Sequence, residues 1–94
     1  APVLLDVRFN REWNESHIRD AKHVEAGILA DVARSLLPED RPVVVHCQRG
    51  NRSTVAVSLL EQKGFKNVYA LEAGFLAWVE SGFEIEQNKV YETA

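Results

Sequence analysis

Three consecutive valines, Val43-Val44-Val45, run into His46-Cys47-Gln48-Arg49-Gly50-Asn51-Arg52-Ser53 and then into the helical pattern TVAVSLLEQKG. An unbroken apolar run of this length suits a parallel strand covered on both faces. A helix that follows after a short glycine-containing turn is the start of a crossover to another parallel strand. The same alternation recurs along the chain. Residues 3–7 form a second apolar run, residues 68–71 a third, and residues 22–25 a weaker strand signal. Amphipathic helical stretches separate them. Strands alternating with helices predict an α/β domain built on a parallel sheet. In such sheets the ligand site lies beyond the carboxyl ends of the strands. Cys47, the only cysteine in the chain, stands in that place.

The helices can be read from spacing. Asn10 is placed to cap a short helix holding Arg11, Glu12 and Trp13. Ile28, Val32, Leu36 and Leu37 recur at helical intervals and predict an apolar stripe, which Pro38 ends. Residues 53–63 predict a helix with Val55, Leu59 and Leu60 inward and Gly64 as its C-terminal cap. A final helix is expected over residues 74–81, with Phe75 and Trp78 inward and Gly82 beyond it. The remainder, EIEQNKVYETA, is polar with some alternation. Trp13 and Trp78 are expected in the core.

Charge sets limits on partners. Eleven basic and 14 acidic residues give a net charge of −3, which argues against a nucleic-acid footprint. The charge is uneven, however: residues 41–60 contain three arginines and no carboxylate. A single cysteine forms no internal disulfide, consistent with a reducing compartment. No apolar run approaches the about 20 residues of a membrane helix, and no signal-peptide pattern is visible. A cytoplasmic location without membrane contact is therefore expected. His17 and His23 do not match a metal-ligand spacing, so no metal and no cofactor is expected.

The chemistry of the loop follows from its composition. The nucleophilic form of sulfur is the thiolate, and a free cysteine of pKa about 8.5 is only a few per cent ionised at pH 7. Lowering that pKa by two units needs about 2.7 kcal/mol. One helix N-terminus supplies about 0.3–1 kcal/mol, or up to ~2 when partly buried. Arg49, Arg52 or several loop amides must supply the rest. Gly50 permits a turn of positive φ, and such a turn can aim successive N–H groups at an anion. The alternative is a small buried residue at a crowded turn with two solvated arginines. The coincidence of strand end, cysteine, glycine turn and helix start favours a thiolate site that also takes a small anion.

Four segments in order resemble the single-domain rhodaneses, a sulfurtransferase family: LLDVR at residues 4–8, REW followed by SHIRDAKHV, VVVHCQRGNRS, and GFKNVYALEAGFLAW at residues 64–78. The resemblance covers nearly the whole chain. It implies a rhodanese-like α/β fold with a small parallel sheet of four to five strands and helices on both faces. It implies that Cys47 carries a persulfide between a sulfane-sulfur donor, such as thiosulfate or a low-molecular-weight persulfide, and a thiol or cyanide acceptor. Gln48, Arg49, Gly50, Asn51, Arg52 and Ser53 would bind the substrate. Within that set Arg49 is the outward-facing donor contact, and Arg52 holds the loop and supplies field. Asp6 and Arg8 would brace the loop, with Glu12 an arginine partner.

Ser16, Arg19 and Asp20 stand where the family often has Gly, Pro and Gly. The family usually has a further strand and helix ahead of LLDVR that are not seen here, so residues 1–94 are expected to be one rhodanese-like domain, processed or cut from a longer protein. That leaves the strand near residues 68–71 with an open edge, which residues 84–90, an absent segment or a partner are expected to cover. Two other functions fit less well. A non-catalytic or sulfur-relay module of a larger enzyme would suit the missing front end. A cysteine-dependent phosphatase would need Cys-x5-Arg, whereas Cys47 and Arg52 are separated by four residues.

Overall fold

A computed structural model describes residues 2–71, 74 and 85–87. Strands β1 (Val3–Asp6), β3 (Lys22–His23), β4 (Val43–His46) and β5 (Val68–Ala70) form one parallel sheet in the order β3-β1-β4-β5. Helices α1 (Asn10–Glu15), α2 (Leu29–Leu36) and α3 (Asn51–Gln62) lie between them in sequence. Strand β2 (Ser16–Ile18) pairs antiparallel with β6 (Ile85–Gln87) in a separate two-stranded ribbon. The parallel α/β architecture expected from the alternating pattern is the one formed.

Register explains the position of the site. Val3, Leu4, Leu5 and Asp6 pair with Val43, Val44, Val45 and His46. From β1 the chain moves to β3 on one side, and later from β4 to β5 on the other. The order therefore reverses between β1 and β4, and their carboxyl ends diverge into separate connections there. Val7 N–H still donates to His46 C=O at 3.0 Å, so Arg8 and Cys47 leave the sheet side by side.

The core lies where Val3, Leu5, Val43 and Val45 meet Leu29, Ala33, Ala56 and Leu60. Leu5, Leu29 and Leu60 are fully buried, each worth about 1.5–3 kcal/mol of transfer free energy. The stripe on α2 differs from expectation. Leu29, Ala33 and Leu37 are buried, whereas Ile28 is 52% and Leu36 47% exposed. Residues Ala26–Ile28 wind as a 3-10 turn, and its tighter winding rotates the helix that follows. On α3, Ser53, Ala56 and Leu60 face inward and Val55 is 68% exposed. Leu60 is fully buried and Leu59 packs against the core as expected, whereas Ser53 and Ala56, not Val55, complete the inward face, because small residues fit the close contact with the sheet. The C-terminus of α3 closes as expected, with Phe65 N–H on Leu60 C=O at 3.1 Å and Gly64 N–H on Glu61 C=O at 3.0 Å.

Further differences concern α1 and the tail. Phe9, not Asn10, occupies the N-cap of α1, and Glu12 Oε1 accepts the Phe9 N–H at 3.0 Å. Trp13 is only partly buried and stacks on His17 and His23, with centroids 3.5 and 4.8 Å away. Flat rings packing on one another hold it near the surface. Asp20, at one of the family's glycine positions, has φ of 65°, a region that aspartate tolerates better than most side chains. Residues Ile85–Gln87 pair with β2 and not with β5, so among the described residues the tail does not cover the β5 edge. The ribbon instead pairs the short strand that follows α1. Of the expected helix over residues 74–81, only Gly74 is described; Phe75, Trp78 and Gly82 lie outside the described residues. Among the described residues no helix is long and apolar enough to cross a membrane.

Candidate active site

Strand β4 ends at His46, and Cys47 is the first residue beyond it. Gly50 then adopts φ of 107° and caps α3. That left-handed turn folds the loop back over the sulfur. Gly50 N–H donates to Cys47 Sγ at 3.1 Å and Ser53 N–H donates to it at 3.3 Å. Ser53 is the third residue of α3, so the sulfur occupies the acceptor place that a capping side chain ordinarily takes. Gly50, the N-cap residue itself, has no side chain to do so. The Ser53 hydroxyl lies 3.6 Å from Sγ and donates to Gly50 C=O at 3.0 Å; rotating that hydroxyl turns it into a third donor to a thiolate.

These contacts decide the ionisation of Cys47. Burial is the largest influence and pushes the thiol pKa up. The Ser53 hydroxyl and the backbone N–H groups of Ser53, Gly50 and Arg49 together outweigh it, and the net shift is downward. The shift is thus delivered by the loop's hydrogen bonds. Arg52 is engaged elsewhere: its Nη1 donates to Glu12 Oε1 at 2.6 Å and its Nη2 to Glu12 Oε2 at 3.0 Å. Arg52 holds the Glu12 carboxyl below its ordinary range, and Glu12 in turn raises the Arg52 pKa.

A cleft of about 190 Å³ opens over the sulfur, lined by Cys47, Gln48, Arg49, Asn51 and Arg52. Arg49 and Asn51 are exposed on its rim, and Gln48 is half-buried. Ser53 is fully buried beneath it. The structure therefore brings together all seven loop residues singled out by sequence, five on the cleft wall and Gly50 and Ser53 as donors below.

Asp6 and Arg8 lie behind the loop. Arg8 is 2% exposed and Asp6 fully buried. Arg8 Nε and Nη2 reach the Asp6 carboxylate at 3.0 and 2.8 Å. Its Nη2 also donates to Ser16 C=O at 2.7 Å, and Nη1 donates to Gln48 Oε1 at 3.0 Å. One guanidinium so joins β1, β2 and the cysteine loop. His46 is fully buried and does not line the cleft. Among the described residues neither ring nitrogen finds a hydrogen-bond partner, and Nε2 lies 4.0 Å from Asp6 Oδ2. Burial lowers the imidazole pKa, Asp6 opposes this and Arg8 adds to it, so the ring is neutral at pH 7.

Sequence reasoning did not assign Gly74 to the site. Its φ is 59°, and a Cβ there would lie 2.3 Å from Cys47 O and 2.8 Å from Gln48 O. Gly74 N–H donates to Leu71 C=O at 3.2 Å. A glycine just past a strand was the available signal, but only the fold shows which backbone it approaches.

Comparison with known proteins agrees with this arrangement. The model of the rhodanese-like domain matches residues 1–81. A thiosulfate sulfurtransferase GlpE of Pseudomonas syringae is 38% identical over 76 residues, covering 81% of this chain and 71% of that protein. A sulfurtransferase of Allochromatium vinosum is 34% identical over 83 residues, covering 88% and 77%. The crystal structure of a Rhodanese_3 like domain from Anabaena sp. superposes with a TM-score of 0.86 at 34% identity, covering 92% of this chain and 99% of that one. A cysteine seated on loop amides at the switch point of a parallel sheet, and a family match over most of the sequence, lead to one assignment: the chain belongs to the rhodanese-like domain family.

Proposed function

We propose that this protein is a rhodanese-type sulfurtransferase that accepts the sulfane sulfur of thiosulfate on Cys47 and passes it to a thiol. The observation that carries the reading is the pair of backbone N–H groups on Cys47 Sγ at the floor of an open cleft. The similarity to proteins named thiosulfate sulfurtransferase supports thiosulfate as the donor.

In the first step the Cys47 thiolate attacks the outer sulfur of thiosulfate. A new sulfur–sulfur bond forms to Cys47, the thiosulfate sulfur–sulfur bond breaks, and its electron pair leaves with sulfite. The resulting persulfide anion extends from Sγ into the cleft, where the loop N–H groups and the Ser53 hydroxyl that favour the thiolate also favour negative charge on the added sulfur. Arg49 on the rim attracts the anionic donor. In the second step an acceptor thiolate attacks the terminal sulfur. The acceptor leaves as a persulfide, and Cys47 recovers its thiolate. No proton is gained or lost between the anionic forms in either step. The loop has only to hold negative charge on sulfur throughout.

The test is mass spectrometry after incubation with thiosulfate, with sulfite measured in parallel. Cys47 is expected to gain the mass of one sulfur atom, to release sulfite in step, and to lose the added sulfur on adding cyanide or a thiol. A Cys47→Ser variant is expected to do none of these. Absence of the adduct with thiosulfate and with low-molecular-weight persulfides would leave a non-catalytic module as the better reading. Aryl phosphate hydrolysis dependent on Cys47 would point instead to a phosphatase.

A further inference from the structure

Two arginines stand on the wall of the cleft, Arg49 and Arg52, and they are not equivalent. The Arg52 guanidinium is clamped on both of its terminal nitrogens by Glu12, at 2.6 and 3.0 Å. A fork-to-carboxylate pair of this kind has a fixed geometry as well as a strong attraction. The Phe9 ring packs against the same guanidinium, with its centroid 5.0 Å away. Glu12 is itself anchored, because Oε1 also accepts the Phe9 N–H at 3.0 Å. Arg49 is exposed, and among the described residues it pairs with no carboxylate. The wall over Cys47 therefore carries one uncompensated cation, since the second is neutralised by a residue on a different element.

We propose that Glu12 is a specificity-determining residue: its clamp on Arg52 withholds a positive charge from the cleft and limits how tightly the site holds a dianion. The inference rests on the reading of Cys47 as the sulfur-accepting nucleophile. A small dianion placed over Sγ interacts with Arg49, whereas the Arg52–Glu12 pair presents almost no net charge. Thiosulfate and the departing sulfite are both small oxyanions of sulfur. A site that gripped them with two free guanidiniums would bind donor and product more tightly together, which lowers KM without raising kcat. The clamp keeps Arg52 in position as a wall of the cleft while removing it as an anion receptor. Glu12 acts through Arg52 and touches no reacting atom.

Calorimetric titration with sodium sulfate at constant ionic strength tests the proposal without requiring turnover. Glu12→Gln removes the charge and keeps a carbonyl oxygen for the Phe9 N–H. Its sulfate Kd is expected to fall roughly five-fold relative to wild type, the scale of one partly exposed charge interaction. Nitrate, a monoanion, is expected to change less. In turnover the KM for thiosulfate falls with little change in kcat. Adding Arg52→Gln to Glu12→Gln is expected to abolish the gain. Unchanged or weaker sulfate binding by a Glu12→Gln protein that melts like wild type overturns the proposal. So does a gain that survives removal of Arg52. If Glu12→Gln fails to fold, Glu12→Asp serves: the shorter carboxylate keeps its charge but cannot span both nitrogens, so a smaller gain in the same direction is required, and no gain overturns it. Tighter sulfate binding in variants of a protein that moves no sulfur would keep the clamp and discard the sulfurtransferase reading. Sulfur transfer with unchanged sulfate affinity would do the reverse.

Discussion

Cys47 Sγ caps α3, receiving the N–H groups of Gly50 and Ser53. A thiolate there satisfies helix donors that otherwise lack partners, so ionisation and helix capping reinforce each other. The composition of the loop left two sources for the lowered pKa, arginines or amides, and the fold chose amides with the Ser53 hydroxyl. The direction sets a pH prediction. A lowered pKa places the rise in thiolate, and hence in alkylation rate, at lower pH than for a free cysteine. Ser53→Ala removes the hydroxyl donor, and the midpoint of an iodoacetamide rate–pH profile is expected to move to higher pH. An unchanged midpoint would assign the shift to the backbone alone. Cys47 was legible in the sequence because strand end, glycine turn and helix start coincide around it. Glu12 was legible as an arginine partner, but nothing in its spacing showed that the partner would be Arg52, 40 residues away.

Among the elements, the strands kept close to their expected limits, while the helix faces held only in part. On α2 the 3-10 turn at Ala26–Ile28 shifts the phase, so Leu29 is 1% exposed while Ile28 is 52% exposed. Leu29→Ala is expected to cost about 2–5 kcal/mol in urea unfolding, and Ile28→Ala at most about 0.5 kcal/mol. A larger loss from Ile28→Ala than from Leu29→Ala would place the helix in the phase that the apolar spacing alone suggests. Gly74 approaches the cysteine loop so closely that it has no room for a Cβ. Gly74→Ala meets two obstacles, the carbonyl oxygens of Cys47 and Gln48 and a φ of 59°. It is expected to destabilise by about 1–3 kcal/mol. Sulfur loading of Cys47 is expected to slow as well, because the displaced carbonyls belong to the loop that aims the donors. Thermal melting and the rate of adduct formation measure the two effects separately.

At the scale of the whole molecule, Arg8 ties the sheet to the site. Its guanidinium reaches Asp6, Ser16 C=O and Gln48, so β1, the β2–β6 ribbon and the cysteine loop share one buried cation. Burying a charge is costly, and a pair such as this contributes little net stability over an apolar replacement of both partners. Removing one partner is another matter. Arg8→Ala strands a fully buried Asp6 carboxylate and is expected to cost about 3–5 kcal/mol of stability. For a domain with a total of about 5–15 kcal/mol that is a large fraction. A urea midpoint close to that of wild type would mean that water or a neighbouring group replaces the guanidinium. Arg8→Lys is expected to recover only part of the loss, since one ammonium cannot serve three partners in the geometry of a planar fork.

The parallel α/β class, the position of Cys47 beyond β4 and the placing of Asp6 and Arg8 beside the cysteine loop followed from local patterns and the family resemblance. Apolar runs, turn residues and helix starts are encoded over a few neighbouring positions, and a single sequence carries them plainly. The partner of the tail strand was set by tertiary packing: Ile85–Gln87 pair with Ser16–Ile18, whereas the sequence had pointed to the β5 edge. The Arg52–Glu12 clamp, the contact of Gly74 with the cysteine loop and the inward faces of α2 and α3 were decided at the same level. Each depends on which distant backbone comes within a few ångströms of another, and that proximity arises only when the sheet order and helix phases are set together.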